Sequence, residues 1–343
     1  MKRVVLLLCT GLVVACATAG QLEVHFIDVG QGAAVLLRTP EAVVLVDAGG
    51  DAAVASYLES IEVTSIDLAI ATHAHADHIG GFEFLFRSFP VERIWYNGQT
   101  HTTRTFERFI DAVLSSEARY EEPVRGQRID LGDLSLTVLH PVGSAADYTG
   151  HLHDYNIVVR AQYGAFSVLL TGDAEVQAEL EIIRSGLDIR STIMKLGHHG
   201  SRTSSSLQFL RAVDPRVAVY QAGLDNSYGH PHPDVLIRLV DILNVDVFGT
   251  DSHGTVIITT DGATYTVTTA TDGLDAVLPD CIDINTAPVE LLVRIVHVGE
   301  SRAAELVLHR PFDSLDDLAR VTGLGDSRVQ EIIAQGIVCP VER

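Results

Sequence analysis

Residues 71–81 read ATHAHADHIGG and place His73, His75, Asp77 and His78 within six positions. Imidazoles at alternate positions beside a carboxylate are poor packing residues, because each polar group buried among them needs a partner of its own. A cation removes that conflict. Zinc and similar divalent ions accept His nitrogen and Asp oxygen, and a pair of ions can divide such a ligand set between them. An exposed His-rich loop fits less well, given the apolar run before the stretch and Gly80-Gly81 after it.

Further acceptors close other apolar runs. Asp47 ends VVLVDAGG, Asp173 ends SVLLTGDAE, and His198 with His199 ends TIMKLGHHGS. Each taken alone reads as a turn former or helix cap. The elements that must bring them together are short β-rich runs, among them LEVHFIDV, AAVLLR, AVVLVDA, IDLAIAT, LSLTVL, NIVVRAQY, FSVLLTG, STIMKL, VAVYQA, GTVIITT and ATYTVTT. Gly, Asp and Pro turn signals separate them. Apolar spacing near 3.6 predicts helices over 105–115, 175–185, 205–212 and 233–243. Strands dominate with helices interspersed, which predicts sheets covered by helices rather than a bundle or an all-β sandwich.

The 343 residues suffice for one large and one small domain, and a hydrophobic share of 47% supports a sizeable core. The formal charge of -21 repels nucleic acid and anionic membranes at long range. A polyanionic partner therefore needs short-range help from cations, a few arginines or oriented N–H groups. The opening MKRVVLLLCTGLVVACATAG has the charged start and short apolar run of a secretory signal, which predicts export. Two processing readings compete: lipidation at Cys16 in VVAC, giving a membrane-anchored lipoprotein, or ordinary cleavage after the ATA of residues 17–19. With Cys9 and Cys16 in the leader, Cys281 and Cys339 remain, and outside a reducing compartment they can form one disulfide worth about 2–4 kcal/mol.

After the aperiodic stretch ATDGLDAVLPD, read as a linker over 270–280, the chain becomes mostly short helices. Two copies of a helix-turn-helix unit are discernible, VHVGESRAAEL and TGLGDSRVQEI.

In order along the chain, these motifs resemble the metallo-β-lactamase fold superfamily. More narrowly, HFIDVGQGAAVLL, LVDAGG, THAHADHIGG, LLTGDAE, KLGHHGSRTSS and NSYGHPHP are similar to the extracellular hydrolase domain of ComEC-type competence proteins. The segment CIDINTAPVELLVRIVHVGESRAAELV with FDSLDDLARVTGLGDSRVQEII resembles the helix-hairpin-helix modules of ComEA-like DNA receptors. The resemblance implies an α/β class, a four-layer αββα sandwich followed by a small all-α domain. The expected division is a leader over 1–19, a hydrolase domain over 20–269, the linker, and a helix-hairpin-helix domain over 281–340. It implies two divalent ions, zinc or manganese: His73 and His75 on one, Asp77, His78 and His198 on the other, Asp173 bridging, and Asp47 hydrogen-bonded to a ligand. For the remaining ligand of the first ion, TGHLHDYNIVV offers His151, His153 and Asn156 without deciding among them.

Two such ions lower the pKa of water and stabilise the attacking and leaving oxygens of a phosphodiester. Asp77 is then part of the catalytic centre. Ser201 and Thr203 can donate to phosphate oxygens or merely cap their turn, and His230 can donate a hydrogen bond or protonate the leaving oxygen. In the tail, Gly299, Gly323 and Gly325 let N–H groups approach a phosphate, with Arg302 and Arg328 at equivalent places after each hairpin. His297 stands where the first hairpin would have glycine, and six Arg against ten Asp plus Glu leave the tail near -4. The leading expectation is an exported metal-dependent nuclease whose tail holds DNA. A small-molecule phosphodiesterase or lactonase of the same fold, and a non-catalytic envelope DNA receptor, are the alternatives. The first differs by leaving DNA intact, the second by needing no open metal position.

Overall fold

The computed structural model describes residues 20–145, 151–270, 282–287, 289–293, 295–335 and 338–339. The expected leader with Cys16, the linker from residue 271 and Cys281 lie outside the described residues. The first sheet has eight strands: β1 (Leu22–Phe26), β2 (Val35–Arg38), β3 (Val43–Val46), β4 (Leu68–Ala71), β5 (Arg93–Tyr96), β6 (Arg119–Glu121), β14 (Val256–Thr260) and β15 (Tyr265–Thr269). Their order is β15-β14-β1-β2-β3-β4-β5-β6. The second has seven: β7 (Arg128–Leu131), β8 (Leu134–His140), β9 (Val158–Tyr163), β10 (Phe166–Leu170), β11 (Ile193–Lys195), β12 (Val217–Tyr220) and β13 (Asp246–Gly249). They lie in the order β13-β12-β11-β10-β9-β8-β7.

Period-2 alternation sorts the side chains of each sheet between two cores. Val24, Val35, Val44 and Ile70 meet Val138, Val159, Val168 and Val219 between the sheets. The intervening Leu36, Leu45 and Ala69 face outward, onto Val54, Leu58, Phe82, Leu85 and Phe109 from α1 (Ala53–Ser60), α3 (Phe82–Ser88) and α4 (Arg104–Ser115). On the far side, Leu169, Met194 and Ala218 pack against Ala178, Ile182, Phe209 and Leu210 of α5 (Val176–Arg184) and α6 (Leu207–Val213). The result is the four-layer αββα sandwich. Strands β2 to β4 are buried on both faces, which is why they read as continuous apolar runs.

The helices over 105–115, 175–185, 205–212 and 233–243 appear with shifts of a residue or two, the last as Pro233–Leu236 continued by a π-helical stretch to Ile242. Helices α1 and α3, the short α2 (Ala76–Ile79) and strands β5, β6, β7 and β13 had no counterpart among the expected elements.

The tail forms its own core from Ile284, Leu292, Val298, Ala303, Leu306, Phe312, Leu324, Val329 and Ile332. Its helices include α9 (Val289–Leu292), α10 (Glu300–Leu308) and α11 (Asp326–Gln335). A bridge between Ile282 and Val338, with Cys339 N donating to Ile282 O at 2.9 Å, draws its two ends together. Cys339 is disulfide-bonded.

Candidate metal centre

The loops that follow β3, β4, β10 and β11 carry Asp47, the His73 to His78 cluster, Asp173 and the His198-His199 pair, so the C-terminal ends of both sheets deliver the donors to one place. Close backbone approach makes the turn possible. A Cβ on Gly81 would overlap the carbonyl oxygens of Ala48 and Asp51. Gly172, at φ +53, lets Asn156 reach past it, and Asn156 Oδ1 accepts from Asp173 N at 2.9 Å.

Two sets of ligand atoms result. His73 Nε2 and His153 Nε2 each lie 2.9 Å from His75 Nδ1. Asp77, His78 and His199 form the second set, with His199 Nε2 at 3.2 Å from Asp77 Oδ2 and 3.3 Å from His78 Nε2. Asp173 Oδ2 faces both sets, at 3.2 Å from His78, 3.4 Å from His199 and 4.0 Å from His73. Its Oδ1 is buried with no hydrogen-bond donor. Three ring nitrogens in mutual contact and an orphaned carboxylate oxygen are costly unless a cation is shared among them, so the donor set fits a pair of divalent ions.

Most of these imidazoles are aimed by their other nitrogen. His78 Nδ1 donates to Asp47 Oδ2 at 2.7 Å, and Asp47 also accepts from Thr72 N and Thr72 Oγ1. His73 Nδ1 meets Thr72 Oγ1 at 3.1 Å, and His199 Nδ1 donates to Gln221 O at 2.7 Å. His153 and His198 both turn Nδ1 to Glu175 Oε1, at 3.2 and 3.1 Å. Outer partners of this kind fix tautomer and orientation.

Electrostatics divides the rings. Burial, with His78 next, holds His73 well below the usual imidazole range, and burial with His153 and His78 takes His75 to about 4. Burial also opposes charge on His78 and His199, but Asp173 and the neighbouring carboxylates outweigh it and raise both. The same pairing depresses Asp77 and Asp173 against the upward pull of burial.

Several sequence-based candidates acquire defined neighbours in the structure. His199, not His198, completes the group with Asp77 and His78. His198 and His199 both have left-handed φ, +47 and +56, and this kink separates their rings. His198 Nε2 lies 4.0 Å from Asp173 Oδ2, its ring packs on His153, and these three residues form a further candidate ligand group. Of the three candidates left open, His153 joins His73 and His75, Asn156 braces Asp173 from behind, and His151 is exposed. Thr203 donates to Glu175 at 2.9 Å and meets Ser201 Oγ at 3.0 Å, so both hydroxyls are engaged within the turn. His230 lies beside the centre, its ring 6.0 Å from and nearly parallel to His199. Burial, then His199 and His198, lowers its pKa to about 4.

Three participants escaped sequence reading. Glu175 sits inside the quoted LLTGDAE, His101 lies 6.1 Å ring to ring from His75, and Lys195 precedes the histidine pair. Lys195 is fully buried, donates to Gly172 O at 3.1 Å and stands 4.0 Å from Asp173 Oδ1.

In the tail, the two hairpins superpose in pattern. Val298 N donates to Ile295 O and Leu324 N to Val321 O; His297 has φ +66 where Gly323 has +80. Arg302 Nη1 donates to His297 O at 2.7 Å, and Arg328 Nη1 to Gly323 O at 2.6 Å. Each of these arginines thus clamps the carbonyl of its own hairpin. Gly299 and Gly325 immediately precede α10 and α11.

Residues 27–223 match the metallo-beta-lactamase superfamily and residues 280–335 the helix-hairpin-helix motif. The chain is 30% identical over 255 residues to ComE operon protein 3 of Bacillus subtilis, covering 68% of this chain and 32% of that protein. It is 29% identical over 241 residues to competence protein ComA of Neisseria gonorrhoeae, covering 66% and 31%. A deoxyribonuclease of Thioalkalivibrio is 41% identical over 59 residues, 17% of this chain and 16% of that one. The chain thus spans about a third of the length of the two competence proteins it matches. Among solved structures, the metallo-beta-lactamase fold protein YhfI of Bacillus subtilis aligns with a TM-score of 0.48 at 16% identity, covering 69% of this chain and 99% of that one. Among the described residues no helix is long and apolar enough to cross a membrane. With its sandwich, its ordered histidine and aspartate donors and the match over residues 27–223, the chain belongs to the metallo-beta-lactamase superfamily and carries a C-terminal helix-hairpin-helix motif.

Proposed function

We propose that the chain is an exported, divalent-metal-dependent nuclease that hydrolyses phosphodiester bonds of DNA held partly by its tail. The observation that carries this reading is Asp173 Oδ2 facing two ligand groups at once, His73/His75/His153 and Asp77/His78/His199. A structural zinc site closes four ligands around one ion, whereas paired sets around a shared carboxylate leave room for water and substrate. Divalent cations held there supply Lewis-acid charge for a phosphoryl oxygen and a hydroxide nucleophile at neutral pH.

The protein's own part is positioning. Asp47, Thr72, Gln221 and Glu175 fix the imidazoles, and His230 offers a hydrogen bond to a phosphate or leaving oxygen. The backbone N–H groups at Gly299 and Gly325 supply local attraction for a phosphate despite the net charge of -21. A tethered binding module raises the effective substrate concentration, so weak affinity suffices. The competence-protein relatives and the short match to a deoxyribonuclease favour DNA over a small-molecule ester. Pairing of Cys281 with Cys339, and a lipid at Cys16, belong to the same exported reading.

The test incubates purified full chain with a Mn²⁺, Zn²⁺ and Mg²⁺ panel and single- and double-stranded DNA. Metal-dependent cleavage is expected. Intact DNA with hydrolysis of methyl p-nitrophenyl phosphate would transfer the site to small phosphodiesters, and no metal-dependent hydrolysis of either would reject the reading.

A further inference from the structure

The loop leading to His230 carries more than that histidine. Tyr228 is 64% exposed, yet its ring lies nearly parallel to His230, at 20° and 5.7 Å between centroids. His230 in turn lies nearly parallel to His199, at 21° and 6.0 Å. Three rings therefore form a ladder that starts at the second ligand group and ends at solvent.

The ladder is held rigidly. Asn226 Nδ2 donates to Gly223 O and His230 O, while its Oδ1 accepts from Tyr228 N and His230 N at 3.2 and 3.0 Å. Gly223 N donates to Gln31 Oε1 at 3.1 Å, which ties the loop to the turn after β1. The inner face of the Tyr228 ring is stacked on His230, and its exposed outer face suits a flat occupant.

We propose that Tyr228 is a stacking platform for an unpaired nucleobase flanking the scissile phosphate, so that the centre selects single-stranded over blunt duplex DNA. The inference rests on the nuclease reading above and adds its substrate form. In a duplex each internal base is already covered on both faces, whereas an unpaired base gains one new contact from a protein ring. Such stacking is sequence-tolerant because every base has a π-face, and it contributes about 1–3 kcal/mol per base.

The test compares a single-stranded DNA oligomer, the same oligomer made wholly abasic, and a blunt duplex, using metal-loaded full chain. Wild type is expected to favour the base-bearing single strand over both others. Y228A should raise KM on that strand roughly tenfold with kcat changed far less, Y228F should retain wild-type values, and neither variant should change the KM for the abasic oligomer. Equal KM losses on base-bearing and abasic oligomers would show a merely structural role and overturn the proposal, as would a wild-type preference for duplex. If wild type hydrolyses methyl p-nitrophenyl phosphate and no oligomer, the nuclease reading itself fails; if it cleaves oligomers and Y228A matches it, only the stacking role fails.

Discussion

Asp47 Oδ2 accepts the Nδ1 proton of His78 at 2.7 Å, and this bond directs His78 Nε2 toward Asp173 and His199. Asp47 itself is held at φ +60, a conformation that Asn tolerates nearly as well. D47N therefore keeps the backbone and changes only the charge and acceptor pattern around His78. Metal affinity should fall about 10–100-fold, read by competition with a chromophoric chelator.

His198 and His199 are adjacent in sequence but serve different partners. His199 lies with Asp77 and His78, whereas His198 lies with His153 and Asp173 and turns Nδ1 to Glu175. H199A should lose one equivalent of bound metal and more than about a hundredfold in hydrolysis, beyond the usual range for outer partners. H198A should keep both equivalents and lose about tenfold or less. Metal stoichiometry by mass spectrometry separates the two, and the reverse pattern would restore the sequence-based assignment.

Which features the sequence disclosed follows from what each side chain must do. Buried strands such as β3 and β4 are unbroken apolar runs, and the donors at their ends are too polar to be there for packing. By contrast β6, β7 and β13 are edge strands, short and only partly buried, so RYE, RIDL and DVFG carry no apolar signature. Helix α3 reads FEFLFRS, which alternates like a strand although Phe82 and Leu85 face the core at helical spacing. Choosing His199 over His198 depends on two left-handed residues, and residue type does not announce them. His153 and Glu175 find each other across 22 positions, a relation set by topology alone.

Lys195 is fully buried, close to three buried or partly buried aspartates. Burial depresses its pKa, and Asp173, Asp47 and Asp77 oppose that shift. Bound cations would take over compensation of Asp173. K195M should therefore destabilise metal-stripped protein by about 3–5 kcal/mol and metal-loaded protein by clearly less. Denaturant melts with and without chelator measure the difference. Equal losses in both states would mean that Lys195 acts through packing and its bond to Gly172.

Metal binding should depend on pH in a defined direction. His78 and His199 are raised above the ordinary imidazole value of 6.5, so metal-free protein holds their protons to higher pH than a free imidazole does. The stabilisation from these charged pairs is complete below the unfolded value and fades as pH rises through the raised folded values. A cation competes with the same protons, so affinity should weaken as pH falls, by about tenfold per pH unit for each proton displaced. Calorimetry in buffers of different ionisation enthalpy should show proton release on binding at pH 7, and its absence would contradict the raised values.

The arginines of the tail offer a test of how such a module can hold DNA without a basic surface. If Arg302 and Arg328 contacted phosphates, replacing either would lower the salt slope of binding by about one. The structure has each donating to a hairpin carbonyl, and Arg302 also reaches Thr322 O of the other hairpin at 3.2 Å. Beside it Glu305 Oε1 accepts from Thr322 N and Oγ1, so α10 grips the second hairpin from both signs of charge. R302M and R328M should therefore lower the melting temperature of the tail and weaken DNA binding while leaving the salt slope near its wild-type value. G325A gives the complement: nothing lies within 4 Å of its added Cβ inside the protein, so folding should be spared, while the new methyl obstructs a phosphate approaching the start of α11. A normal affinity in G325A would move the DNA contact away from the hairpins.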